Sequence, residues 1–236
     1  MEKYKELNVL KDKDPIFDAI ENGDVATAEK FLKAGGSSYT ASRNNPHLAS
    51  YAINNGHIEI VKLMLAHDLK INGYLNKFGD RPLHFALQRK NFELVKLFVE
   101  EGADVNAPTE HGMSPLHCAA GGGQEELVRY LISKGANLHA KNQSGATPFR
   151  DAAKGNHIAA MKVLLEAGAK IEETDCVGDT ALIGCAGGGK LEAVQWLLDH
   201  GANIRAKDKN GKTALDWAKA NKHAKIVELL QQRLGN

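Results

Sequence analysis

One spacing constrains this chain more than any other feature. Ser114-Pro115-Leu116-His117, followed by Ala119-Ala120, returns as Thr147-Pro148-Phe149-Arg150 with Ala152-Ala153. It stands earlier as Arg81-Pro82-Leu83-His84 with Ala86-Leu87, and later as Thr180-Ala181-Leu182 and Thr213-Ala214-Leu215. The first positions are 81, 114, 147, 180 and 213, a period of 33. Two divergent copies precede them, one at Asp14-Pro15-Ile16 and one at His47-Leu48-Ala49, and only the step from 47 to 81 departs, at 34. A second landmark keeps the same register: Gly102-Ala103, Gly135-Ala136, Gly168-Ala169 and Gly201-Ala202. A third is a glycine at 79, 112, 145, 178 and 211. A unit of this length is one supersecondary element, and it buries its apolar face only against its neighbours.

Each landmark has a physical reason. Ser or Thr before Pro places a side-chain acceptor at a helix start and a proline where its missing N–H costs nothing. Leu116 with Ala119-Ala120 gives a short first helix whose small residues allow close packing. Leu127, Val128, Leu131 and Ile132 follow at helical spacing, which predicts a second helix. Gly135 then suits a left-handed helix stop, and Gly112-type glycines suit the tip of a tight turn.

These residues resemble the ankyrin repeat, whose 33-residue period and T-P-L-H-x-A motif they match. The resemblance covers roughly residues 9–234, with units starting near 9, 42, 76, 109, 142, 175 and 208. It implies an all-α solenoid of stacked helix-turn-helix units with β-hairpin-like projecting fingers, a single domain over 1–236. The outer units read as caps. Lys219 replaces an inner alanine, Gln231 stands where earlier copies carry Leu or Ile, and Glu29 and Lys30 occupy the second helix of the first unit. Only Gly235-Asn236 follow Leu234, so no further domain is expected there.

Composition narrows the function. Hydrophobic residues make up 43% and charged residues 25%, so the chain reads as globular. The formal net charge is +1 with no basic stripe, which argues against nucleic acid. The tract Glu2-Lys3-Tyr4-Lys5-Glu6 mixes signs and reads as a solvated start. No secretory leader and no apolar run of membrane-spanning length is visible. Three widely spaced cysteines, Cys118, Cys176 and Cys185, indicate no disulfide framework and hence a reducing, cytoplasmic setting.

Candidate chemistry is sparse. His84 and His117 occupy the motif position, and His57, His157 and His223 recur between the paired helices. Recurrence at the repeat period points to structural hydrogen bonding, and neither CxxC nor HExxH spacing offers a metal site. No catalytic residue, cofactor or metal is expected. Cys185 sits at an inner position as a small hydrophobe, Cys118 lies near the concave side, and Cys176 is the exposed thiol. Gly121-Gly122-Gly123 and Gly187-Gly188-Gly189 lack phosphate-loop context. One glycine of each belongs to the turn. The other two either flatten the concave wall for a partner or reflect drift at a loop. Trp196, Tyr130, Phe98 and Phe31 read as packing, whereas Trp217 is half-exposed, covering the cap or offering a contact.

In the family that these residues resemble, loop tips and the exposed edge of the first helices bind partners. Carried onto this chain, that surface comprises Lys77, Phe78 and Asp80; Gln88 and Arg89; Glu110, His111 and Met113; Cys118; Gln143 and Ser144; Lys154; and Cys176, Val177 and Asp179. Phe78, Met113 and Val177 are apolar where solubility favours polar residues, as at an interface. Asp68-Leu69 replaces Gly-Ala in the second unit, and the insertion at Tyr74-Leu75 supplies an added contact or fills an altered turn. The resemblance thus implies a protein-binding module, monomeric by itself, that is an adaptor, scaffold or stoichiometric inhibitor. The alternatives are a bacterial-type effector or immunity protein acting on one enzyme and, more remotely, an enzyme with an unrecognised site.

Overall fold

The computed structural model describes residues 9–10, 14–42 and 47–235, so the charged tract at 2–6 lies outside it. Among the described residues the chain forms fourteen helices in seven antiparallel pairs, the all-α repeat architecture that the period predicts. They fall into two compact units, divided at Asp104 and Val105.

The first unit holds α1 (Pro15–Glu21), α2 (Val25–Lys33), α3 (Leu48–Asn55), α4 (Ile58–His67), α5 (Pro82–Gln88) and α6 (Phe92–Glu100). A two-residue parallel pairing, β1 (Val9–Leu10) with β2 (Ala41–Ser42), precedes α3. Its core is Ile20, Leu48, Ile53, Ile60, Met64, Leu83, Leu87, Leu94 and Phe98.

The second unit holds α7 (Pro115–Gly121), α8 (Glu125–Ser133), α9 (Pro148–Lys154), α10 (Ile158–Glu166), α11 (Ala181–Gly187), α12 (Leu191–Asp199), α13 (Ala214–Ala220) and α14 (Ala224–Gly235). First helices pack on first helices, α7 on α9, α9 on α11 and α11 on α13, and second helices pack likewise. The expected inner residues are buried: Leu116, Ala119, Ala120, Ala152, Ala153, Leu182 and Ala186.

Caps start the first helices where the sequence places them. Asp14, Ser114, Thr147, Thr180 and Thr213 each accept from a backbone N–H of the first turn, an interaction of about 1 kcal/mol. Arg81 cannot act this way; there His84 Nδ1 accepts from the Arg81 N–H instead. A seven-residue helix is too short to persist in water alone, so packing against the next pair sustains it.

Recurrent histidines brace neighbouring pairs, as their period implies. His57 Nε2 donates to the Glu21 carbonyl at 2.9 Å, His157 Nε2 to Gly121 at 3.0 Å, and His223 Nε2 to Gly187 at 3.0 Å.

The second repeat departs from the Gly-Ala pattern for a visible reason. Asp68 reaches back to the preceding loop, where its carboxylate accepts from the Ser37 hydroxyl and the Ser38 N–H. Elsewhere the traffic is reversed, with Asn72 donating to the Gly102 carbonyl and Asn106 to the Gly135 carbonyl.

The terminal pair covers apolar residues of the pair before it. Removing residues 212–236 strips α13 and α14 from α11 and α12 and exposes Leu182, Ile183 and Leu197. The expected outcome is aggregation or a melting temperature several degrees below the parent's, read by light scattering and circular dichroism. A truncated chain that stays monomeric and melts like the parent would contradict this packing.

Candidate partner-binding surface

The loops between helix pairs are hairpin turns closed by single backbone bonds. In the second unit these run from Thr109 N–H to Met113 O, Asn142 to Ala146, Asp175 to Asp179 and Asp208 to Lys212, at 2.9 to 3.2 Å. Neighbouring tips are bonded as well: Gln143 N–H to His111 O, Cys176 to Ser144 and Lys209 to Val177.

The residue opening each turn organises it, a role that the sequence reading missed. Asn142 Oδ1 accepts from the Ser144 and Ala146 N–H groups, Asp175 Oδ1 from Val177 and Asp179, and Asp208 Oδ1 from Asn210 and Lys212. Asn76 does the same for Phe78 and Asp80 in the first unit. Asn, Asp or Thr at 76, 109, 142, 175 and 208 was a detectable signal, since Asx side chains are the residues that fold such turns.

In the first unit the loop carrying the one-residue insertion turns two aromatic rings outward. Tyr74 is 49% exposed and Phe78 48%. The Arg81 guanidinium lies 4.6 Å from the Tyr74 ring centre, and Lys77 Nζ lies 5.2 Å from that of Phe78. Lys77, Gln88 and Arg89 are exposed and Asp80 is half-buried.

In the second unit Val177 is the most exposed large apolar side chain at 54%. Glu110, His111, Gln143, Ser144, Lys154 and Cys176 are exposed too, and Cys118 and Asp179 are half-buried. Met113 differs from expectation. It is half-buried, its sulfur accepting from Asn142 Nδ2 at 3.5 Å, because the residue after the tip glycine turns back toward the first helices.

Between these loops and the first helices lies a hollow of about 720 Å³, lined in part by Met113, Arg150, Asp151, Lys154, Asp179 and Gly184. Arg150 stands where earlier repeats carry the motif histidine, and its Nη1 pairs with Asp175 Oδ2 at 2.7 Å, both side chains being largely buried. Burial alone would raise Asp175. The Arg150 hydrogen bond, the Asp179 N–H and the Arg150 charge outweigh it, and the carboxyl titrates below its ordinary range. Asp179 is pushed up by burial and by the charges of Asp175 and Asp208, and Asp151 is pushed up by burial. Cys185 is buried against this wall, its thiol pushed up to about 12, which makes it inert as a nucleophile. Trp217 is half-buried, and its indole N–H donates to Asp208 Oδ2 at 2.9 Å, tying the terminal repeat to its own loop.

Among the described residues no three His, Cys, Asp or Glu side chains converge as a metal site, and no helix is long and apolar enough to cross a membrane. The family model for ankyrin repeats matches residues 16–109, 107–175 and 168–235. The chain belongs to the ankyrin-repeat family. None of the curated proteins compared with it is a match. Ankyrin repeats are generally protein–protein interaction modules.

The burial of the motif histidine predicts that this ankyrin stack loses stability in mild acid. His117 Nε2 donates to the Ala146 carbonyl at 3.0 Å, so Nδ1 accepts from the Ser114 N–H and lies 2.7 Å from its hydroxyl. Burial holds its pKa below the ordinary 6.5, so the fold retains the neutral ring. The unfolded chain takes up that proton first. Stability is therefore full above the unfolded value and is lost as pH falls through it toward the folded one. Denaturant midpoints should fall between pH 8 and pH 6, and His117→Gln should flatten part of that slope. His47, likewise depressed by burial, keeps the remainder. An unchanged slope in His117→Gln would refute the assignment.

Proposed function

We propose that this ankyrin-repeat chain is a non-catalytic protein-binding module, an adaptor, scaffold or stoichiometric inhibitor, that engages a folded partner through its loop tips and the adjoining face of its first helices. The observation that carries the reading is the outward placement of Tyr74, Phe78 and Val177 on turns whose backbone is already hydrogen-bonded. Large apolar side chains on an ordered loop lose little conformational freedom on binding, and such groups dominate interface energetics. In each unit the neighbouring loop residues are polar and mixed in sign, Lys77 and Asp80 in the first and Glu110, Gln143, Ser144 and Lys154 in the second, which suits a protein surface better than a polyanion.

The buried residues also support a role without chemistry. His84 and His117 are committed to packing and caps, and Cys185 is held as a neutral thiol. The exposed Cys176 sits on a turn, its sulfur 3.8 Å from the Gln143 carbonyl oxygen. A nucleophile needs a neighbouring base, and the groups around these residues serve the turn instead.

Phe78→Asp with Val177→Asp should leave circular dichroism and melting close to the parent's, since exposed substitutions usually cost less than ~0.5 kcal/mol. Binding to a partner captured from native extract and then purified should weaken at least about tenfold, a loss of ~1.4 kcal/mol. Lys96→Asp, on the second-helix side, should change neither. Normal binding by the folded double variant would move the interface elsewhere.

A further inference from the structure

The loop before α13 carries Arg205, Lys207, Lys209 and Lys212. At the same places the preceding loop has Glu172, Thr174, Cys176 and Asp179, and the one before it His139, Lys141, Gln143 and Ala146. The chain nets only +1, yet residues 205–225 hold seven of its 30 basic side chains against two of its 29 acidic ones. All seven are exposed.

The two carboxylates among them are committed to the fold. Asp208 is buried and accepts from the Asn210 and Lys212 N–H groups and the Trp217 indole, while Asp216 accepts from the Thr213 N–H and hydroxyl. In the preceding loop Glu172 accepts from the Asn203 N–H, and Asp175 holds Arg150. On the second helices, by contrast, Lys33, Lys62, Lys96, Arg129 and Lys162 each have a carboxylate one turn away. Among the described residues no such partner stands within ion-pair distance of the seven.

The cations of the loop border an apolar side chain. The Lys209 N–H donates to the Val177 carbonyl at 3.0 Å, and Lys209 Nζ to the Cys176 carbonyl at 2.7 Å. Lys212 Nζ lies 4.6 Å from the Trp217 ring centre. Val177, 54% exposed, thus stands on the tip next to an ordered cationic loop.

Resting on the protein-binding reading above, we propose that Val177 and this last loop receive a carboxylate-rich segment of the partner's chain, its carboxylates taken by Lys207, Lys209 and Lys212 and one of its apolar side chains seated on Val177. Complementary charge selects such a segment and speeds its arrival, and the apolar contact adds residence. A nucleic-acid strand fits the place less well. It binds by stacking bases on open aromatic faces, whereas Trp217 is half-buried, with its N–H held by Asp208 and Lys212 over its ring.

The test uses the full chain and a fluorescent capped peptide with a central leucine between runs of glutamate, read by anisotropy. Binding should saturate and should weaken as salt rises, because exposed charges are screened over about 10 Å at 0.1 M. Single exposed pairs contribute little, so the lysines are changed together: Lys207→Gln with Lys209→Gln and Lys212→Gln should weaken the peptide at least about tenfold while melting close to the parent. Lys62→Gln with Lys96→Gln and Lys162→Gln, equal in net charge, should leave binding unchanged. Val177→Ala should weaken the leucine peptide severalfold and leave a glycine counterpart unaffected.

Absent saturation, an equal loss in the two triple variants, or a Val177→Ala effect independent of the leucine would each overturn the proposal. Tighter binding of single-stranded oligothymidylate or of phosphatidylserine vesicles than of the peptide would overturn it as well. The outcome is separate from that of the loop-tip variant. A silent peptide titration beside lost partner binding in Phe78→Asp/Val177→Asp removes the acidic segment alone. A peptide held through the three lysines, beside normal partner binding by that variant, removes the loop-tip interface alone.

Discussion

Each helix pair depends on the pair beside it. The first helices of the second unit span only seven residues each, and neither caps nor propensity stabilise that length in water. What holds them is the alanine face. Ala119, Ala120, Ala152, Ala153 and Ala186 are fully or almost fully buried, so successive first helices meet backbone to backbone. Polar braces then complete the contact, because close approach leaves carbonyls such as Gly121 and Gly187 without helical partners at the helix ends. His157 and His223 supply those partners from the following repeat. The same stacking spaces the turns so that one tip can hydrogen-bond the next.

That spacing explains why the repeat architecture was legible and the surface only partly so. Packing recurs with the chain's period, so one residue type at 33-residue intervals identifies a cap, a turn or a core face. The buried thiol at Cys185, the exposed thiol at Cys176 and the structural histidines all followed from position in the repeat. Met113 did not. The period gives its place beside the tip glycine, but whether the side chain faces water depends on the Asn142 turn in the next repeat. Arg150 escaped for a related reason. It reads as a lost motif histidine, and its partner Asp175 lies in the following repeat, so neither residue signals the pair alone.

Departures from the repeat proved more informative than its matches. Asp68 looked like a lost helix stop, yet its carboxylate takes over the bonding of the preceding loop. The glycine tracts divide in the same way. Gly123 and Gly189 adopt left-handed backbone, and an added Cβ would strike His157 and His223, so the turn explains them. Asn156 and Lys222 hold the equivalent left-handed position in other repeats. Gly121, Gly184 and Gly187, which lie within α7 and α11, have no such requirement. Glycine inside a helix costs about 1 kcal/mol relative to alanine, and nothing in the local packing offsets it.

Arg150 resolves part of that imbalance. In the preceding repeat the equivalent side chain, His117, is neutral, compact and wholly buried in its own cap. A guanidinium at that place is longer and charged. It extends to Asp175, whose other oxygen is already folding the turn that presents Val177. One ion pair thereby fixes the first-helix wall to the loop above it, and because both groups are largely buried, the geometry resists salt and thermal motion better than a surface pair would. An open wall lined with glycine would otherwise be free to close by small rotations of neighbouring side chains. Arg150 and Asp175 brace the two sides of the hollow against such movement.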